Sequence, residues 1–316
     1  MSESKEKNII QAQKVLGEEL LMLAVPLVLS VKFYGVRALG VAAVSVLTAL
    51  FVDFLGSMII SREYYSSDFS ALCTGVMIAL MMPVGIPLYI PACAAAFGML
   101  VAKLPFGGGV KTPFVPSAAG FAFAAVCFKD SVFAYTGTSD SMTGTSIGSM
   151  LMAGKALKLN SVNVLDILCG NIVGPMGTGC LLLMIACCCF IFIRRRNALI
   201  STASFVVACA VFAAIFPRTN AGIFTNIFLE LSSGSLMFAA VFLLTDYSTI
   251  PRRNINKAVY GIFCGIICMV MRKMSVYEEP VCFAVLLVNA FSPLLEQFTD
   301  RLVIVTSGKR KEREDK

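Results

Sequence analysis

Ten apolar segments fill most of this 316-residue chain, and they constrain its fold more than any other feature. A hydrocarbon layer about 30 Å thick is crossed by roughly 20 apolar residues, and a helix satisfies its own backbone hydrogen bonds there. Hydrophobic residues make up 58% of the chain and charged residues 14%, which is typical of membrane proteins. The sequence therefore predicts an all-α polytopic membrane protein with about ten transmembrane helices. The predicted spans lie near residues 20–34, 36–60, 69–82, 86–102, 116–133, 170–193, 198–216, 223–244, 259–271 and 280–298.

The basic residues predict how these spans are oriented. With the N-terminus in the cytoplasm, 18 of the 26 Lys and Arg residues fall on the cytoplasmic side and 8 fall outside. This bias follows the positive-inside rule, so we expect a multi-pass protein of the inner (cytoplasmic) membrane with both termini cytoplasmic. This topology in the lipid bilayer accounts for the net charge of +7, so we expect no nucleic acid as a partner.

A faint internal repeat divides the chain into two halves. Pro116 and Pro280 each open an apolar segment, and Pro83 and Asp246 each follow one at nearly the same spacing along the chain. Because each half holds five spans, the second must be inverted in the membrane relative to the first, which places functional sites near the interface between them. The predicted parts are a cytoplasmic tail at 1–17, five-helix repeats at 18–134 and 164–302, an extracytoplasmic loop at 135–163 and a basic cytoplasmic tail at 303–316.

A polar segment of small hydroxyl residues lies in that predicted loop. It reads Asp140-Ser141-Met142-Thr143-Gly144-Thr145-Ser146, in a chain that is otherwise mostly apolar. Its hydroxyls offer acceptors for a covalent group, and its Gly lets a modifying enzyme approach the backbone. The alternative is a solvated turn whose composition reflects turn preference alone.

The chain offers little for soluble enzyme chemistry or metal binding. It contains no His, which removes the usual general base. Its twelve Cys lie in or beside apolar segments without a Cys-x-x-Cys pair, which is typical of small buried side chains. We therefore expect no metal site and no catalysis by the chain alone.

Five motifs, in matching order and spacing, resemble those of the NqrB/RnfD family. Its members are the flavoprotein membrane subunits of Na⁺-pumping quinone reductases and of Rnf ferredoxin:NAD⁺ oxidoreductases. The segment at 140–146 resembles the family's flavin-attachment motif D-G-x-S-G-A-T. The match covers roughly residues 20–302, and the chain's length is similar to that of RnfD, the D subunit of the Rnf complex. The other four motifs are Phe106–Pro116 (FGGxGxNPFNP), Gly170–Gly177 (GNIxGSxGETS), Ser233–Asp246 (a helix ending in A-T-D-P) and Pro280–Asn289 (FAVLLMN).

The resemblance implies two flavins. In the family a flavin transferase esterifies FMN to the hydroxyl of the motif's last residue, which is Ser146 here, with Thr145 as second choice. A Ser hydroxyl forms the same phosphoester as the family's Thr, and Asp140, Thr143 and Gly144 match the motif around it. The family's second flavin, riboflavin, lies near the Phe106–Pro116 motif. There Thr112 and Val115 replace the two Asn, which leaves mainly backbone groups to bind it.

Two acidic residues are candidates for an ion pathway. Asp53 lies within the second predicted span, and Asp246 ends the eighth at the family's TDP position. Carboxylates in apolar segments are costly and usually functional, although a paired structural carboxylate is the alternative in each case.

The resemblance implies a translocase subunit that carries electrons and couples their transfer to Na⁺ or H⁺ transport. Because the chain has no nucleotide-binding fingerprint, other membrane and peripheral subunits of an Rnf-type complex must supply that chemistry. Two alternatives stay open. One is a channel or transporter with a fold like that of urea and ammonium transporters, and the other is a flavin-free paralogue of RnfD. A flavin-acceptor loop distinguishes the electron-carrying subunit from a channel, which has no use for such a loop, and absence of flavin from the protein would favour the flavin-free paralogue.

Overall fold

The structure, a computed structural model, describes residues 2–60, 69–108, 112–135, 146–152, 164–170, 172–219, 222–251, 253–274 and 277–314, with side chains between residues 11 and 299. All regular structure in these ranges is helical, as predicted. The helices are α1 Ser2–Tyr34, α2 Val36–Ile59, α3 Ser70–Leu80, α4 Tyr89–Phe97, α5 Pro116–Cys127, α6 Lys129–Val132, α7 Ile147–Met152, α8 Val164–Cys169, α9 Leu181–Arg194, α10 Leu199–Ile215, α11 Ile223–Ser232, α12 Leu236–Phe238, α13 Asn254–Lys273 and α14 Val281–Glu314.

Four helical stretches in the described ranges are long and apolar enough to cross a membrane, or five if the bent pair α11–α12 forms one span. The four are Val36–Ile59, Tyr89–Phe106, Asn254–Lys273 and Val281–Thr299. Four shorter apolar helices, α3, α5, α9 and α10, accompany them. Each predicted apolar segment therefore contains a helix, while the number of ten membrane crossings stays a prediction.

The predicted sixth span begins later than the sequence indicates. Helix α9 starts at Leu181, whereas the apolar pattern predicts a span from residue 170. The residues from Ile172 to Cys180 are not helical, because Gly174, Pro175 and Gly177 disfavour a helix there. This non-helical segment, residues 172–180, lines the site described below.

The non-helical segment closes the end of α3. The N–H of Met176 donates to the carbonyl of Met82 at 3.0 Å, and the N–H of Gly177 donates to the carbonyl of Leu80 at 2.8 Å. Ser30 of α1 donates from its hydroxyl to the carbonyl of Met176 at 2.9 Å. The last carbonyls of a helix lack partners within the helix, so a short helix in an apolar setting needs such donors from elsewhere.

Helices α11 and α12 form a pair bent by 70° at Ser233–Ser235. Gly234 sits at the bend with a φ of +61°, a conformation that glycine adopts without the steric penalty of a side chain. Beyond the bend, α12 continues as a π-helical turn over Ala239–Leu243, whose side chains are fully buried. Helix breaks of this kind place backbone groups next to internal sites.

One large hydrophobic core joins both halves of the chain, and it includes residues of α1–α5, α9, α10 and α12–α14. Helices α10 and α13 approach closely through Gly261 and Gly265, which are spaced as in Gly-x-x-x-Gly helix contacts. A Cβ added at Gly265 would lie 2.8 Å from the Cβ of Ala208. A smaller cluster of Ile147, Leu151, Ile167 and Leu229 holds α7 against α8 and α11.

Candidate functional site

Ser146 is the part of the predicted attachment motif that the structure describes. It immediately precedes α7 and is 7% exposed. Its hydroxyl oxygen accepts a hydrogen bond of 3.1 Å from the N–H of Ser149, which is the capping interaction of a helix N-terminus. The other predicted cofactor residues, Asp140, Thr143, Gly144 and Thr145, lie outside the described residues. Their roles stay predictions.

The hydroxyl of Ser146 donates to the carboxylate of Glu278, in the connection between α13 and α14. Gly148 makes this contact sterically possible, because a Cβ there would lie 2.7 Å from Cγ of Glu278 and 2.8 Å from its Oε1. Burial raises the pKa of Glu278 above its ordinary value, and the hydrogen bonds from Ser146 and Ser149 partly oppose that shift. The Ser146 hydroxyl therefore faces a carboxylate with raised proton affinity.

A second carboxylate, Glu279, lies beside the first. It is 1% exposed, and Tyr135 donates its phenolic O–H to Oε1 of Glu279 at 3.1 Å. Burial raises the pKa of Glu279 to about 7, and the neighbouring charge of Glu278 adds to the rise. The bend at Gly234 packs against it, since a Cβ there would lie 2.6 Å from Oε1. The site thus holds a carboxyl group that changes charge near neutral pH.

These groups surround a small cavity. Its volume is about 20 Å³, enough for roughly one water molecule. Its walls come from the start of α7, the non-helical segment, the bend between α11 and α12, and the two glutamates. The Ser146 oxygen has the chemistry that a phosphoester link needs, but a cavity of this size is too small for a flavin ring.

A buried charge network lies next to the two glutamates. Arg218 donates to both carboxylate oxygens of Glu230, at 2.5 and 2.6 Å. Arg272, which is 2% exposed, donates to the carbonyls of Glu230 and Ser233 at 2.8 Å each, and also contacts the Glu230 carboxylate at 3.3 Å. This network fixes α13 to the bend in the α11–α12 pair.

Of the two predicted ion-pathway residues, Asp53 has a partner that the sequence does not place beside it. Lys103, at the end of the π-helical turn that continues α4, lies 3.0 Å from Oδ1 of Asp53, and both side chains are buried. The structure brings Asp246 to the turn after the α12 segment, where it is 8% exposed and accepts a hydrogen bond of 3.0 Å from the N–H of Ser248.

The described part of the region expected to bind riboflavin, residues 106–108 and 112–116, offers few polar side chains. Thr112 uses its hydroxyl to donate to the carbonyl of Phe114 at 2.7 Å, and Val115 is fully buried. The two positions that carry Asn in the family therefore present no free polar side chain in this chain. Thr112 and Val115 therefore do not fit a role as side-chain ligands of a second flavin.

Comparison with known proteins identifies the family. A family model described as the NQR2, RnfD, RnfE family matches residues 4–304. The chain belongs to this family. It is 26% identical over 282 residues to the D subunit of the Na(+)-translocating ferredoxin:NAD(+) oxidoreductase complex of Acetobacterium woodii, covering 88% of this chain and 86% of the relative. It is 25% identical over 298 residues to the D subunit of the proton-translocating ferredoxin:NAD(+) oxidoreductase complex of Clostridium ljungdahlii, covering 90% and 89%.

A further relative is the B subunit of the Na(+)-translocating NADH-quinone reductase of Chromohalobacter salexigens. It is 27% identical over 236 residues, which is 71% of this chain but only 57% of that protein. The resemblance to the NqrB/RnfD family is therefore confirmed. The matched region covers a larger share of the two RnfD relatives than of the quinone reductase subunit. Identities of 26% and 25% to the two RnfD relatives make this chain a divergent member.

Proposed function

We propose that this chain is the D subunit of an Rnf-type ion-translocating oxidoreductase complex and carries FMN covalently attached to Ser146. Family membership over nearly the whole chain supports the place in the complex. The observation that supports the attachment is a serine hydroxyl, largely buried, at the position of the family's acceptor residue. The flavin would supply one- and two-electron chemistry between neighbouring carriers, while the chain holds its phosphate end and surrounds it with titratable groups.

A direct experiment tests the attachment. The chain is expressed with and without a flavin transferase, denatured, separated by gel electrophoresis and viewed under ultraviolet light. We expect a fluorescent band at the size of the chain only when the transferase is present. A wild-type chain that stays dark beside a fluorescent RnfD control would instead indicate a flavin-free paralogue.

The inverted five-helix repeat with cytoplasmic termini belongs to the same proposal. The order of helices supports it: α2 packs on both α3 and α4, and α10 packs on both α11 and α13, their counterparts in the second half. This topology places Ser146 outside and residues 303–316 inside. A Cys introduced in residues 136–145 should react with a membrane-impermeant maleimide in intact cells. Reaction only after permeabilisation would show that the loop lies on the cytoplasmic side, opposite to the proposed orientation.

We further propose that Asp53 and Asp246 belong to the pathway of the transported cation, either Na⁺ or H⁺. Asp53 is held by Lys103 in a buried pair, and a cation that arrives at such a pair can replace the ammonium as the partner of the carboxylate. Other subunits of the complex, both membrane and peripheral, would supply the electron donor and acceptor sites.

Neutralising Asp53 alone should impair assembly, because the buried charge of Lys103 would lose this carboxylate at a cost of about 3–5 kcal/mol. The double variant Asp53→Asn/Lys103→Met removes both charges and should restore assembly, measured as the yield of monodisperse complex. We expect the double variant to assemble but to lose ion-coupled turnover in membrane vesicles. Undiminished coupling in the assembled double variant would remove Asp53 from the pathway and leave it a structural role.

A further inference from the structure

Formation of the phosphoester requires the acceptor hydroxyl to lose its proton. In the proposed attachment, the Ser146 oxygen attacks the phosphorus next to the flavin in a flavin adenine dinucleotide. The new O–P bond forms while the pyrophosphate P–O bond breaks, and AMP leaves with the bridging oxygen. No group is oxidised or reduced. The one remaining requirement is an acceptor for the serine proton, and a serine hydroxyl is a weak nucleophile without one.

We propose that Glu278 accepts this proton, so that the chain itself supplies the base for its own flavin attachment. This inference rests on the proposed function. The hydroxyl of Ser146 already donates to the carboxylate of Glu278, so the proton is directed along an existing hydrogen bond. A candidate base must lie within hydrogen-bond reach of the proton that it removes, and Glu278 meets this condition.

The backbone around the two residues maintains the contact. Gly148 leaves the space that Glu278 occupies, since any side chain there would meet Cγ of Glu278 at 2.7 Å. The N–H of Ser149 donates to the hydroxyl oxygen of Ser146 at 3.1 Å and holds that oxygen in position. The O–H then has two acceptors within reach, the Glu278 carboxylate and the Ser149 hydroxyl at 3.0 Å, and of these the carboxylate is the stronger base. The same N–H would stabilise negative charge on the oxygen as the proton leaves.

Entry of the dinucleotide requires the cavity to open, because its 20 Å³ holds no more than about one water. The contact between Ser146 and Glu278 involves the start of α7 and the α13–α14 connection. The non-helical segment forms a separate wall. Displacement of that wall would leave the contact between Ser146 and Glu278 in place. Burial raises the pKa of Glu278, which makes its carboxylate a stronger base than an ordinary glutamate.

The test measures the initial rate of covalent flavin incorporation into the purified, flavin-free full-length chain. The reaction contains flavin transferase, Mg²⁺ and flavin adenine dinucleotide, and in-gel fluorescence follows it between pH 5 and 8. We expect Glu278→Gln to slow attachment about 100-fold at pH 8. Glu278→Asp keeps a carboxylate and should recover part of the rate. Glu296→Gln makes the same chemical change at a distant position of α14 and should leave the rate unchanged.

The pH profile separates proton transfer from a purely structural role. If Glu278 accepts the proton, the ratio of the wild-type rate to the Glu278→Gln rate should approach one as Glu278 becomes protonated at low pH. A structural contact would give a ratio independent of pH, and that result would overturn the proposal, as would equal rates at every pH. Absence of flavin from the wild-type chain would overturn the proposed function as well, so the two failures are distinguishable.

Discussion

Replacing Ser146 with Ala is expected to abolish covalent flavin completely. The substitution removes the only atom of this side chain that can form a phosphoester, and the alanine methyl group cannot substitute for it. Ser146→Thr keeps a hydroxyl and should remain fluorescent, as should Thr145→Ala. In-gel fluorescence and the intact mass of the purified chain report the attachment. Loss of the N-terminal cap of α7 adds a stability cost of about 1 kcal/mol, which the threonine variant largely avoids.

A different pattern would relocate the attachment. Fluorescence that persists in Ser146→Ala and disappears in Thr145→Ala would assign the flavin to the preceding residue. Peptide mapping of the fluorescent product would then identify the modified residue directly. In either case the attachment stays in the same motif, but only attachment at Ser146 is consistent with a role for Glu278 as its base.

Replacing Glu230 with Gln is expected to destabilise the chain strongly, although the side chain keeps its size. The buried guanidinium of Arg272 and the partly buried one of Arg218 lose their shared counter-charge. Breaking a buried pair from one side costs about 3–5 kcal/mol. We therefore expect the apparent melting temperature of the detergent-solubilised protein to fall by about 10 °C.

Buried thiols report this unfolding conveniently. Cys264 and Cys268 are fully buried in α13, so a thiol-reactive dye labels them only as the fold opens. The matched variant Arg218→Gln leaves the contact between Arg272 and Glu230 in place and should lower the melting temperature less. An unchanged melting temperature in Glu230→Gln would mean that neighbouring groups fully replace the lost carboxylate.

The sequence predicts the helical class and the approximate helix positions because apolar runs are local signals. Helix α2 spans Val36–Ile59, close to the predicted 36–60, and α10 spans Leu199–Ile215, close to the predicted 198–216. The apolar pattern misses the delayed start of α9, because the segment before it contains no charged residue and therefore does not interrupt the apolar run. Its Gly and Pro residues are the available signal against helix.

Contacts between distant parts of the chain cannot be predicted in the same way. Lys103 is far from Asp53 in the sequence and falls in a predicted cytoplasmic connection, so their pairing becomes visible only in three dimensions. Glu278 is 132 residues from Ser146. A signal for its role exists, since Glu278 and Glu279 are adjacent acids directly before Pro280 in a chain poor in charge. Nothing in the sequence, however, relates them to the attachment motif.

The non-helical segment at 172–180 has a mechanical consequence. Its backbone N–H groups at Met176 and Gly177 are bound to carbonyls at the end of α3, while Ile172, Val173 and Gly174 form a wall of the cavity at Ser146. A shift of one wall of the proposed flavin site therefore pulls directly on a helix end in the apolar core. We therefore expect a change of charge or volume at the proposed flavin to reach the end of α3 through these two hydrogen bonds.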